Sequence, residues 1–286
     1  MTVQFRVRKR LHSGALMRTQ KREETAQQTP PSLRRAWLWL RQVLPQWVVW
    51  GAPQFALYTW LHYWWLRRHF EAVADPYRQI RVEPERIDTT NEVLDKQWGL
   101  GRIVGGEWDR PQRSEAFATH PICRGLRQRF GEGCAWEDTA YLQWAKSEFA
   151  QGRSVWGYQT LDEFRAVRCA YVDSLYERIQ REGYRPNTGA GHTVPEADTL
   201  RRNQAFVHRL EPLVVIGRDG TVHWRDGFHR IALAMILGIE EIPVQVLARH
   251  REWQNVRDAV STGVASPAPL DVQWTVKNHP DLQDVM

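Results

Sequence analysis

The chain has 286 residues, 42% of them hydrophobic and 25% charged, a globular composition that excludes wholesale disorder and a polytopic membrane protein. Its three cysteines, Cys123, Cys134 and Cys169, are too few and too scattered for a disulfide framework. They contain no Cys-x-x-Cys pair for a thiolate zinc cage. The formal charge of +6 sits in the first 35 residues, where nine Lys/Arg face only Glu23 and Glu24. The remaining 251 residues hold 30 Lys/Arg and 31 Asp/Glu, so the body has no cationic excess to offer a nucleic-acid backbone.

Residues 1–35 read as a basic disordered tail without apolar periodicity, passing through Thr29-Pro30-Pro31. The first apolar run begins too late for a secretory signal, while an Arg-rich organelle presequence stays open. Residues 36–70 form a Trp-rich helical segment. Seven of the 15 tryptophans fall between Trp37 and Trp65, and no charged residue occurs from Gln42 to Leu66, a run of 25. That run is long enough to cross a bilayer. Pro45, Pro53 and three glutamines, with Arg35 and Arg41 on one side and Arg67 and Arg68 on the other, suit a membrane-surface segment better than a span. A buried or partner-binding helix pair is the alternative. Residues 36–68 are accordingly expected to meet a membrane surface or a protein partner. The protein is expected to be cytoplasmic, peripheral to or anchored in the membrane.

The body is expected over 75–262, with residues 263–286 as a C-terminal extension. Residues 79–83 predict a short strand ended by Pro84, and 101–108 a second strand broken by glycine. A helical block inserted over about 112–185 follows, with helices at 115–130, 136–150 and 161–182, the second of them capped by Trp136-Glu137-Asp138. The last helix is the clearest. Thr160 and Glu163 have capping-box spacing, Gly183 is the stop, and Leu161, Phe164, Tyr171, Leu175 and Ile179 share a face. Residues 185–203 read as a loop. Leu213–Ile216 predicts a strand, Gly217-Arg218-Asp219-Gly220 a hairpin turn, and Thr221–Trp224 its partner. An apolar helix over Phe228–Leu237, the stop Gly238 and a strand over Ile242–Leu247 complete the pattern. The fold class is α/β of the α+β kind, a small mixed sheet with a large inserted helical block.

The chemistry concentrates at Asp226-Gly227-Phe228-His229-Arg230, where a strand gives way to a helix. Free N–H groups and the helix dipole make such a position receptive to anions. Gly227 permits close backbone approach, Arg230 offers a planar fork for phosphate oxygens, and His229 a donor or proton carrier. Asp226 is expected to cap the helix or hold the His-Arg pair. Arg249, His250 and Arg251 follow the last strand as rim candidates or an exposed helix start. His192, His208, His223 and His250 lack metal-ligand spacing, so no metal site is expected.

The arrangement strand, Asp-Gly turn, strand, Gly227-Phe228-His229-Arg230, apolar helix, Gly238 and Ile242-Pro243-Val244 resembles the ParB/sulfiredoxin-like superfamily over 213–248, with an echo at Gln79–Asp88. The resemblance implies a ParB/sulfiredoxin-like sheet. It also implies that Gly227, His229 and Arg230 bind the phosphates of a nucleotide of the ATP or CTP class with Mg²⁺. By analogy with small-molecule kinases of that superfamily, it implies phosphoryl transfer with a carboxylate base. The candidate carboxylates are Glu83, Glu85 and Asp88, together with Asp226. Sulfiredoxin chemistry is excluded, because Phe228 stands where that branch carries its cysteine. The expected ligand is a nucleotide or phosphorylated small molecule. The alternatives are a non-enzymatic adaptor or nucleotide switch and a DNA-binding or nuclease protein. The last is disfavoured because residues 213–258 hold six Arg and six Asp/Glu.

Overall fold

The computed structural model describes residues 52–87, 89–111, 115–187, 210–263 and 278–286. The N-terminal part runs from α1 (Ala52–Leu66) through β1 (Gln79–Val82), a 3-10 turn at Pro84–Arg86, β2 (Thr89–Thr90) and β3 (Arg102–Val104) to β4 (Glu115–Ala116). The helical block comprises α2 (Pro121–Phe130), α3 (Ala140–Ala150), α4 (Leu161–Glu163), a π-helix at Phe164–Cys169 and α5 (Ala170–Glu182). The C-terminal part holds β5 (Leu213–Ile216), β6 (Val222–Asp226), α6 (Phe228–Ile236), β7 (Ile242–His250) and α7 (Arg251–Ser261).

All seven strands join one mixed sheet in the order β1-β7-β5-β6-β2-β4, with β3 also on β7. The fully buried β5 and β7 lie parallel at its centre, as continuous apolar runs favour. Strand β7 uses one edge twice, antiparallel to β1 along its first half and parallel to β3 along its second. Alternation along β5 sends Val214 and Ile216 to one core and Leu213 and Val215 to the other. The first core is closed by the helical block and α6, the second by Phe55 of α1 with Leu94, Leu100 and Trp108. The class is thus α+β, with a helical layer on each face.

Several expectations need correction. Glu115–Ala116 is a strand rather than the start of a helix, because it pairs antiparallel with Thr89–Thr90. The helix after it begins at Pro121, whose fixed φ suits a first helical position, and His120 caps it. Trp136–Asp138 is a separate 3-10 turn, and the true cap of α3 is Thr139. Thr160 accepts from the Glu163 amide as expected, but the Glu163 carboxylate reaches the amide of Gln159. Arg249 and His250 are buried inside β7 rather than on an exposed helix start, since β3 pairs alongside them. Leu282 and Asp281, from the C-terminal extension, are wholly buried against the body.

Helix α1 is 15 residues long. Among the described residues no helix is long and apolar enough to cross a membrane. The tail and the first part of the Trp-rich segment, residues 1–51, lie outside the described residues, as do Asp88, His192, His208 and most of the 185–203 loop.

Candidate functional site

Strand β6 ends at Asp226 and α6 begins at Phe228, with Gly227 between them in the left-handed region at φ +93°. A side chain at Gly227 would meet Pro212 at 2.9 Å. Glycine is therefore required twice, by conformation and by close approach. No side chain caps the helix. Asp226, expected to cap, instead accepts from the amide of Gly227 at 2.8 Å and pairs with Lys96. Burial works to raise the Asp226 carboxyl, but Lys96, Arg225 and the Gly227 amide outweigh it and hold it below the ordinary range.

His229 is buried and points into the helical block. Arg168 Nη2 donates to its Nδ1 at 3.2 Å, so Nε2 carries the proton and donates to the Tyr141 hydroxyl at 3.0 Å. Arg168 Nε also reaches that hydroxyl, at 3.4 Å. Burial, then Arg168, then His120 hold the imidazole well below its ordinary value. It is a neutral ring with both nitrogens engaged. His120, stacked on Phe228, is pushed down to about 4 by burial. Two local irregularities meet here. Arg168 lies in the π-helical stretch, a feature common at functional sites. Trp156, whose ring lies against both His229 and the Arg168 guanidinium, has φ +47°.

Arg230 turns the other way. It donates to the carbonyl of Leu210 at 2.9 Å and pairs with Glu211 at 3.2 Å. Burial raises Glu211 despite Arg230, and pushes the neighbouring Tyr184 hydroxyl up to about 12. Arg230 also lines a shallow crevice between the end of α5 and α6, together with Leu175, Arg178, Ile179, Tyr184 and Arg185.

The structure thus gathers Asp226, Gly227, His229 and Arg230 at one helix start but aims their side chains three ways. Glu83 and Glu85 lie exposed on the 3-10 turn after β1, and Glu83 pairs with Arg86 at 2.9 Å. That turn is seated against α6. Among the described residues neither glutamate is hydrogen-bonded or ion-paired to Asp226, Gly227 or Arg230. The position of Asp88 lies outside the described residues. Among the described residues no group of three His, Cys, Asp or Glu is placed to hold a metal ion.

Four residues at the site escaped the sequence reading. Arg168 had a visible signal, since it falls four residues after Phe164 and seven before Leu175, on the apolar face of its helix. Tyr141, Lys96 and Glu211 had none, because their partners lie 88, 130 and 19 residues away in the chain.

Compared with known protein families, curated proteins and solved structures, the chain matches none.

Proposed function

We propose that this chain binds a phosphate-bearing ligand of the nucleotide class at the start of α6, on a sheet of the ParB/sulfiredoxin-like kind. One observation carries the reading. The helix start has no side-chain cap, the left-handed Gly227 leads into it, and the partly exposed Lys96 and Arg225 lie beside Asp226 just before it. Uncapped N–H groups and the helix dipole favour anions, and cations around them add charge-assisted hydrogen bonds. In this reading the amides that follow Gly227 hold the phosphates together with Lys96, and Arg230 joins them by releasing Glu211. His229 serves as a positioning residue that ties α6 to the helical block. A Mg²⁺ ion would be held chiefly through the ligand's own phosphates, as is usual for that cation.

Phosphoryl transfer is the reaction this reading extends to, with Glu83 or Glu85 taking the proton of an acceptor hydroxyl. One observation favours binding without turnover instead. Asp226, the carboxylate nearest the helix start, is locked to Lys96. The protein would then act as a nucleotide switch or adaptor. In either case the Trp-rich segment would hold it at a membrane surface.

Thermal shift and calorimetry on the full chain test the reading with ATP, ADP, CTP, GTP and pyrophosphate, with and without Mg²⁺. A ligand at 100 times its dissociation constant adds about 2.7 kcal/mol of stability. That gain is expected for wild type and lost in Lys96→Met and Arg230→Ala. Unchanged affinity in both variants, or silence across the panel, overturns it. Turnover of a bound nucleotide separates the kinase from the switch.

A further inference from the structure

Helix α1 is apolar on two opposite faces, and among the described residues only one of them is buried. Phe55, Tyr58, Thr59, His62 and Leu66 are buried against the body. Phe55 enters the second core, Tyr58 lies against Trp98, and the Thr59 hydroxyl donates to the carbonyl of Phe55 while accepting from the amide of Leu100. Gly99 has no room for a side chain, since a Cβ there would meet Thr59 at 2.7 Å. The inner face is therefore fixed in place. The outer face carries Leu57 (61% exposed), Trp60 (46%), Leu61 (40%) and Trp64 (58%). At 100° per residue these four fall within an arc of about 100°. They form a continuous stripe rather than scattered exposed residues, and such patches on proteins mark interaction sites.

The charge around the stripe identifies the occupant. From Ala52 to Phe70 the chain has no acidic residue and two arginines, Arg67 and Arg68. Arg67 and Arg68 directly follow α1, at the negative end of its dipole, and the Arg68 guanidinium lies over the Trp64 ring. Indoles and leucines on one side, arginines at the end and no carboxylates are the composition of a helix lying in a bilayer interface. A protein partner of ordinary mixed charge gives no reason for a helix without a single acid. We infer that the Leu57–Trp60–Leu61–Trp64 face of α1, with Arg67 and Arg68, seats the protein in the interface of a membrane rich in anionic phospholipid. The inference rests on the membrane-surface reading above and adds to it the face, the lipid charge and the orientation. The helix lies in the membrane plane, and the sheet stands on its inner side.

Flotation of the full chain with two kinds of vesicle tests it, one of phosphatidylcholine and one of phosphatidylcholine mixed with phosphatidylglycerol. Wild type is expected to float with the mixed vesicles. Trp60→Ser with Trp64→Ser is expected to reduce the bound fraction at limiting lipid by about tenfold or more, through loss of interfacial burial. Arg67→Gln with Arg68→Gln is expected to weaken binding to the mixed vesicles by about fivefold per arginine, and to leave the neutral ones unaffected. All four side chains are exposed, and an unchanged melting temperature verifies that the variants fold. Failure of wild type to float with either vesicle overturns both the membrane reading and the face. Undiminished flotation of the Trp variant, abolished only by deleting residues 36–50, overturns the face and keeps the membrane reading. Self-association that the Trp variant abolishes, without flotation, assigns the stripe to a second copy and overturns the inference.

Discussion

Asp226 and Asp281 are both held by cations, yet one site is half-open and the other sealed. Asp281 is wholly buried. It accepts from Arg249 at 2.8 and 2.5 Å and from the Trp253 indole at 2.9 Å, and it lies 3.4 Å from Arg257. Its own amide donates to His279 at 3.1 Å. Burial opposes ionisation, but the two arginines win and hold this carboxyl far below the ordinary range. The network closes on itself and pins residues 278–286 to the body. At the start of α6, by contrast, the Asp226 and Lys96 side chains stay 26% and 22% exposed, and the helix amides have no cap. A closed network holds the fold, whereas an open one leaves donors for something else.

The largest expected effect is at the sealed site. Asp281→Asn leaves Arg249 buried without its carboxylate, while Arg257 keeps Asp284, and should cost about 3–5 kcal/mol in urea unfolding. A cost under about 1 kcal/mol would break the contrast. At the other site Gly227→Ala should cost about 2 kcal/mol, from the left-handed backbone and the clash with Pro212. Lys96→Met removes only a partly exposed pair, so its unfolding free energy should change by about 1 kcal/mol or less. If Lys96→Met proves as damaging as Asp281→Asn, the helix start is structural and the contrast fails.

The pH dependence sharpens the same comparison. Burial is the main cause that pushes His279 down to about 4, from an ordinary 6.5. The folded protein keeps it neutral where the unfolded chain takes up a proton. Its contribution to stability is full above pH 6.5 and drains away as the pH falls toward 4. His279→Gln, which retains a donor for the Gly220 carbonyl, should flatten the slope of stability over that window. A residual slope should remain from His229 and His120, which are also depressed. An unchanged slope would remove His279 from the account.

Much of the fold was legible from local pattern. The strands at 79–82, 213–216 and 222–226, helix 228–236 and the long helix ending at Gly183 all follow from apolar periodicity and stop signals. The two-residue strand β4 was not, because Glu115–Ala116 has no strand pattern of its own and exists only by pairing with β2. At the site, the need for a glycine at 227 was legible as a point of close backbone approach, but its left-handed conformation and its neighbour Pro212 were not. The burial of His229 followed from the apolar helix it opens, but its partners did not.

By itself the sequence determined most element types, the confinement of positive charge to the head segment, and the place where β6 gives way to α6. Those are properties of neighbouring residues, set by spacing and composition. Only the tertiary structure decided that His229 meets Tyr141 and Arg168, that Arg230 meets Glu211, that Asp281 seals the C-terminal segment, and which face of α1 stays bare. Each depends on which distant segments are brought within about 3 Å of one another, and hydrogen bonds and ion pairs carry no periodic trace along the chain.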